Sequence, residues 1–216
     1  MTNQGREVCG VSGSPAGTAT AAELFERRVA PLYHLADDAS AIATACHAMA
    51  VRFHRGGTLV VFGNGTASTD AQHVVVEFVH PVIMGKRALP AISLTADVAT
   101  VTGIAGTEGF DEVFAHQLRH LGADRDIALG ISPDGNCGSV LRGLAAAREL
   151  GMLTIALAGG DGGQIASLQG ADHIVVARSD DPRVIKEVHV TAYHVLWELV
   201  HVFFEHPDLL ERRAVA

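Results

Sequence analysis

A chain of 216 residues is long enough for one ordinary domain with a well-buried core. Hydrophobic residues make up 48% of it, which excludes disorder over most of the length. The formal net charge of -8 argues against direct nucleic-acid binding, and no apolar run approaches the ~20 residues that cross a bilayer.

Residues 1–20 are rich in Gly, Ser, Thr and Ala and lack an apolar core. They read as a flexible tail rather than a signal peptide, with one domain expected over 21–216. Cys9, Cys46 and Cys137 show neither pairing nor zinc spacing, as expected of a reducing cytoplasm. Residues 21–54 carry apolar side chains at three- and four-residue spacing: Leu24, Phe25, Val29 and Leu32, then Ile42, Ala45, Met49 and Val51. This period predicts two helices, with Pro31 and Asp37–Asp38 as the candidate breaks.

The pattern then changes. Short apolar runs at 58–62, 89–94, 127–131, 153–158 and 173–177 alternate with helical segments, each bounded by Gly, Pro, Asp or Ser. Such alternation predicts βαβ units, a parallel sheet and helices on both faces. A last helix is expected from about 182 to about 204. Ligands of such sheets bind beyond the carboxyl ends of the strands. Two loops fall there, Gly63-Asn64-Gly65-Thr66-Ala67 and Ser132-Pro133-Asp134-Gly135-Asn136-Cys137. Both lead into helices whose first N–H groups can meet an anion.

Histidines number 12, so their placement matters. His73 and Glu77 lie one helical turn apart and share a face. His80 extends that stripe, and His194, Glu198 and His201 make a second one on the last helix. A stripe of this kind also arises where an amphipathic helix buries imidazoles at a contact, the reading we favour for His80 and His201.

Four segments together resemble the phosphoheptose isomerases of the sugar isomerase (SIS) family. GNGTASTDAQH (63–73) is similar to their GNGGSAADAQH. GISPDGNCGSVLRGLAAARELGM (130–152) is similar to GISTSGNSxxVLxAxxxAxxxGM. GGDGGQIA (159–166) and IKEVHVTAYHVLWELVH (185–201) are similar to GxxGGxxA and IQExHxxxxHxLxxxVE. The resemblance implies a five-stranded parallel SIS sheet in a flavodoxin-like three-layer sandwich, with N-terminal helices. It also implies a homotetramer and conversion of sedoheptulose 7-phosphate to D-glycero-D-manno-heptose 7-phosphate. By the same motifs Glu77 is the implied base and His194 the implied acid, and His73, Glu77 and His194 are the implied ligands of a zinc ion. Asn64, Gly65, Thr66, Asp97, Ser132, Asp134, Asn136 and Lys186 fall at or beside the implied substrate positions. Asp70, Gln72, Glu187 and His189 are also retained.

The chain departs from the pattern at the phosphate end. Ala67, Pro133, Asp134 and Cys137 stand where the family has hydroxyl side chains, Lys186 where it has Gln, and Pro81 where it has Arg. Asp134 brings a negative charge to a place where a dianion should sit. Two like charges about 4 Å apart cost on the order of 4 kcal/mol at an effective dielectric of about 20. The contrary expectation is that Asp134 turns away and caps the next helix. Two alternatives therefore stand beside the isomerase. One is a non-catalytic adaptor like the family's replication-initiator-associating branch, which lacks the glutamate at position 77. The other is a metal-binding accessory, or an enzyme acting on an unphosphorylated ligand.

Overall fold

The computed structural model describes residues 19–211; most of the expected tail, with Cys9, lies outside them. The first described helix, α1 (Ala21–Asp37), starts at a capping box. Thr20 accepts the Glu23 N–H and Glu23 reaches back to the Thr20 N–H. Pro31 does not break it, contrary to expectation. Proline removes one backbone donor, and the helix runs past that gap to Asp38, which separates it from α2 (Ala39–His54).

The sheet follows the predicted alternation: β1 (Leu59–Gly63), β2 (Ala91–Ser93), β3 (Ile127–Ser132), β4 (Leu153–Gly159) and β5 (His173–Ala177). All pairs are parallel, in the order β2-β1-β3-β4-β5. Alternate strand residues feed two cores. Leu59, Val61, Ile127, Leu129, Ile155 and Leu157 pack with α2, α3 (Thr66–Val79) and α8 (Pro182–Glu205). Val60, Phe62, Ala128 and Ala156 face α4 (Val98–Thr107), α5 (Val113–Leu121), α6 (Gly138–Glu149) and α7 (Gly163–Ser167). A short α9 (Asp208–Glu211) closes the described chain. The central strands β1, β3 and β4 are buried on both faces, which is why they read as continuous apolar runs rather than alternating ones.

Asp181 caps α8 through the Arg183 N–H, and hydrogen bonds from Arg183 hold its carboxyl down to about 2. Strand order locates the ligand crevice. From β1 the chain steps to β2 on one side and then crosses to β3 on the other, so the topological switch point lies between β1 and β3. The 63–66 and 132–137 loops emerge there.

Candidate active site

Three side chains from two helices converge beside this crevice. His73 and Glu77 project from α3 and His194 from α8. His73 Nε2 lies 3.3 Å from Glu77 Oε1, and His194 Nε2 lies 3.8 Å from the same oxygen. The two imidazole rings meet edge-on at 5.2 Å. Glu77 is buried while both histidines stay partly exposed, so the carboxylate forms the floor of an accessible cluster. The shortest approach of each imidazole to the carboxylate is to Oε1.

Among the described residues this is the one group of three His, Cys, Asp or Glu side chains whose ligand atoms gather tightly, all within 4.8 Å of one another. Two imidazoles and a carboxylate with an open side match the donor set of catalytic zinc sites. The 3.3 Å approach is also close to the spacing of two ligands about 2 Å from one ion.

One participant was not visible in the sequence. Tyr193, 1% exposed on α8, places its hydroxyl 2.7 Å from His73 Nδ1. Burial pushes this phenol above its ordinary range, and the charges of Asp70 and Glu77 push the same way. The hydroxyl therefore keeps its proton and shares a hydrogen bond with Nδ1, donating or accepting according to the His73 tautomer. In the tautomer that accepts from Tyr193, His73 carries its proton on Nε2, facing Glu77. A metal at Nε2 requires the other tautomer, in which Nδ1–H donates to the Tyr193 oxygen.

The remaining sequence-derived residues separate into three groups. Asn64 spans the switch point, its amide donating to Ser139 Oγ at 2.5 Å and to Cys137 Sγ at 3.2 Å. Gly65 opens α3 at φ +57, and Thr66 starts that helix at the exposed rim. Ser132, Asp134 and Asn136 form one hydrogen-bonded turn after β3. Asp97 caps α4 through the Ala99 and Thr100 N–H groups and the Thr100 hydroxyl.

Lys186 does not reach Glu77. Its ammonium donates to Asp70 Oδ1 at 2.6 Å, to the Thr66 carbonyl at 3.1 Å and to Thr69 Oγ1 at 3.3 Å. The lysine thus ties α8 to the first turn of α3 and is neutralised there. Asp134 does not cap α6 either; Cys137 holds the N-cap position, and its side chain makes no capping bond. Glu187 is spent on Arg28, joining α8 to α1. His189 is buried, and Ala158 O accepts its Nε2–H at 2.9 Å. Desolvation lowers its pKa and keeps it neutral. His201 is buried between the Trp197 and Arg87 carbonyls, and His80 is the exposed C-cap of α3, so neither joins the cluster.

With an α/β sheet, a switch-point crevice and this cluster in place, the class is defined: residues 25–159 match the SIS domain, and the chain belongs to that family. Within it the chain is similar to phosphoheptose isomerases. It is 41% identical to that of Solidesulfovibrio magneticus over 170 residues, 78% of this chain and 82% of the relative. It is 41% identical to that of Pelobacter propionicus over 178 residues, 82% of this chain and 88% of the relative. The solved phosphoheptose isomerase of Francisella tularensis superposes with a TM-score of 0.78 at 33% identity, covering 83% of this chain and 95% of that one.

Proposed function

We propose that this chain is an aldose–ketose isomerase acting through an enediol on sedoheptulose 7-phosphate or a related sugar. The observation that carries this reading is the convergence of Glu77, His73 and His194 on one accessible face. Moving a proton between adjacent carbons needs a base for the carbon-bound proton, an acid for the oxygen, and a fixed geometry. Glu77 supplies the base, its carboxylate positioned beside the two histidines that approach Oε1. His194, partly exposed on α8, is the acid that protonates the oxygen. His73 orients Glu77 and is itself held by Tyr193. The adaptor alternative is disfavoured by the retained Glu77, whose burial is an expense that a binding scaffold does not require. The test is turnover of sedoheptulose 7-phosphate and of sedoheptulose, with and without zinc. No conversion of either sugar under any of these conditions overturns the reading.

Zinc belongs to this proposal, with His73, Glu77 and His194 as its holders. When bound it polarises the substrate oxygen. Zinc is expected to raise the melting temperature by mass action, and His194→Ala to remove most of that rise. An unchanged rise in the variant places the ion elsewhere.

A homotetramer is the proposed assembly. Phe25, Val29 and Tyr33 form an exposed apolar stripe on α1, 74%, 48% and 68% accessible, and Val82, Ile83 and Met84 add a second exposed apolar patch. Surfaces of this kind mark contacts with another chain. Sedimentation is expected to give a tetramer for the native chain and smaller species for Phe25→Asp; a native monomer at micromolar concentration refutes the assembly. A cytoplasmic location is proposed with it, consistent with the free buried thiols of Cys46 and Cys137; desolvation pushes Cys46 up to about 12 and leaves it inert. We assign residues 21–216 to the single domain that carries all of this.

A further inference from the structure

In the turn after β3 the donors of Ser132, Gly135, Asn136 and Cys137 are paired inside the protein. The Asp134 carboxylate points into it. Its Oδ1 accepts the Ser132 hydroxyl at 3.2 Å and the Asn136 N–H at 2.9 Å. Ser132 is fully buried, and its oxygen in turn accepts the Cys137 N–H at 3.3 Å. The Gly135 N–H goes to the Ser132 carbonyl, and Pro133 has none to give. Across the switch point, the Asn64 amide is committed to Ser139 and Cys137. In the first loop Ala67 has no hydroxyl, while Ser68 and Thr69 donate theirs to the Gly65 and Thr66 carbonyls.

Charge points the same way. Lys186, on the helix facing the first loop, is neutralised by Asp70. The Asp111 carboxylate lies against the start of α6, so close that a Cβ on Gly138 would meet Oδ1 at 2.7 Å. The end of the crevice where two helix N-termini favour an anion therefore holds the chain's own carboxylates.

We infer that Asp134 is a specificity-determining residue: it occupies the anion end of the crevice, so the site prefers a sugar whose far end is uncharged over the same sugar bearing a phosphate dianion. This rests on the isomerase reading and narrows its substrate class. A dianion must either displace the Asp134 carboxylate from Ser132 and Asn136 or sit beside it, and both weaken binding. An unphosphorylated sugar meets no such penalty, and its hydroxyls can donate to the carboxylate.

The experiment is calorimetric titration of sedoheptulose 7-phosphate and of sedoheptulose into the native protein and Asp134→Asn near neutral pH. Asparagine keeps an Oδ1 that accepts from Asn136 N–H and Ser132, so the turn persists while the charge is removed. Affinity for the phosphorylated sugar is expected to rise at least about fivefold, the floor for like charges roughly 4 Å apart under full water screening. Affinity for sedoheptulose is expected to stay within about twofold, since no ionic contact is lost. An unchanged ratio of the two affinities, or no gain with either sugar, overturns the inference. The native protein gives a second measurement that needs no variant. Added salt is expected to leave or improve its affinity for the phosphorylated sugar, because repulsion is screened. A several-fold loss with salt, the mark of a cationic cradle, also overturns the inference. Both readouts are binding ratios, so they fail separately from turnover, which tests the isomerase reading itself.

Discussion

Replacing Glu77 by Gln is expected to lower kcat about 10²- to 10⁴-fold, the usual contribution of a positioned acid–base group, with KM changed only a few-fold. That loss corresponds to roughly 3–5 kcal/mol of transition-state stabilisation. The substitution is nearly isosteric. The amide still meets both imidazoles on the side where Oε1 now sits, 3.3 and 3.8 Å away, so binding geometry persists while the proposed base is removed. The melting temperature is expected to hold or rise, because Glu77 is only 8% exposed and its charge is costly to bury. The readouts are steady-state kinetics and exchange of the carbon-bound substrate proton with solvent deuterium. A kcat within tenfold of the native value, with exchange intact, removes Glu77 from the base role and moves it to one of the histidines.

The fold was legible because its determinants are local. Apolar runs between Gly, Pro and Asp boundaries announced β1, β3, β4 and β5 to within about two residues. The β2 run was expected over six residues and keeps only Ala91–Ser93 paired, because only β1 flanks it. Pro31 misled for a related reason. A missing donor weakens a helix locally, while packing against α8 and β5 decides whether the helix continues. The cluster His73, Glu77 and His194 was readable through its motif. The partners that tune it were not, since they depend on how two distant helices abut. Tyr193 is 120 residues from His73, and Lys186 is 116 from Asp70. No spacing rule links such positions. Asp134 was ambiguous for a different reason: aspartate suits both a helix cap and an Asx-type turn, and only the positions of Ser132 and Asn136 separate the two.

Gly135→Ala is expected to be among the most destabilising single changes in the crevice. Gly135 sits at φ +69, where a Cβ is strained, and that Cβ would lie 2.0 Å from the Gly162 carbonyl oxygen. The obstacle is backbone, and it is pinned. Gly135 O accepts the Ile165 N–H, and Asn136 Oδ1 accepts the Gln164 N–H, so the β3 turn and the start of α7 form one unit. Gly163 faces the same constraint from the other side, its would-be Cβ 2.4 Å from Asp134 O. Left-handed strain and overpacking each cost about 1–3 kcal/mol, so a total of roughly 2–6 kcal/mol is expected. For a chain of this size that is about 4–24 °C in Tm. Gly65→Ala is the matched control. Its φ is +57, but nothing lies within 4 Å of the added Cβ, so only the backbone term of about 1 kcal/mol applies. Thermal melts of both variants at one protein concentration decide the matter, since assembly makes Tm concentration-dependent. A Gly135→Ala shift no larger than that of Gly65→Ala would mean the two loops yield independently. In that case the hydrogen-bonded turn around Asp134 is soft, and a dianion could displace it with little resistance. A large difference means the turn is rigid, so substrate must fit the carboxylate as it stands.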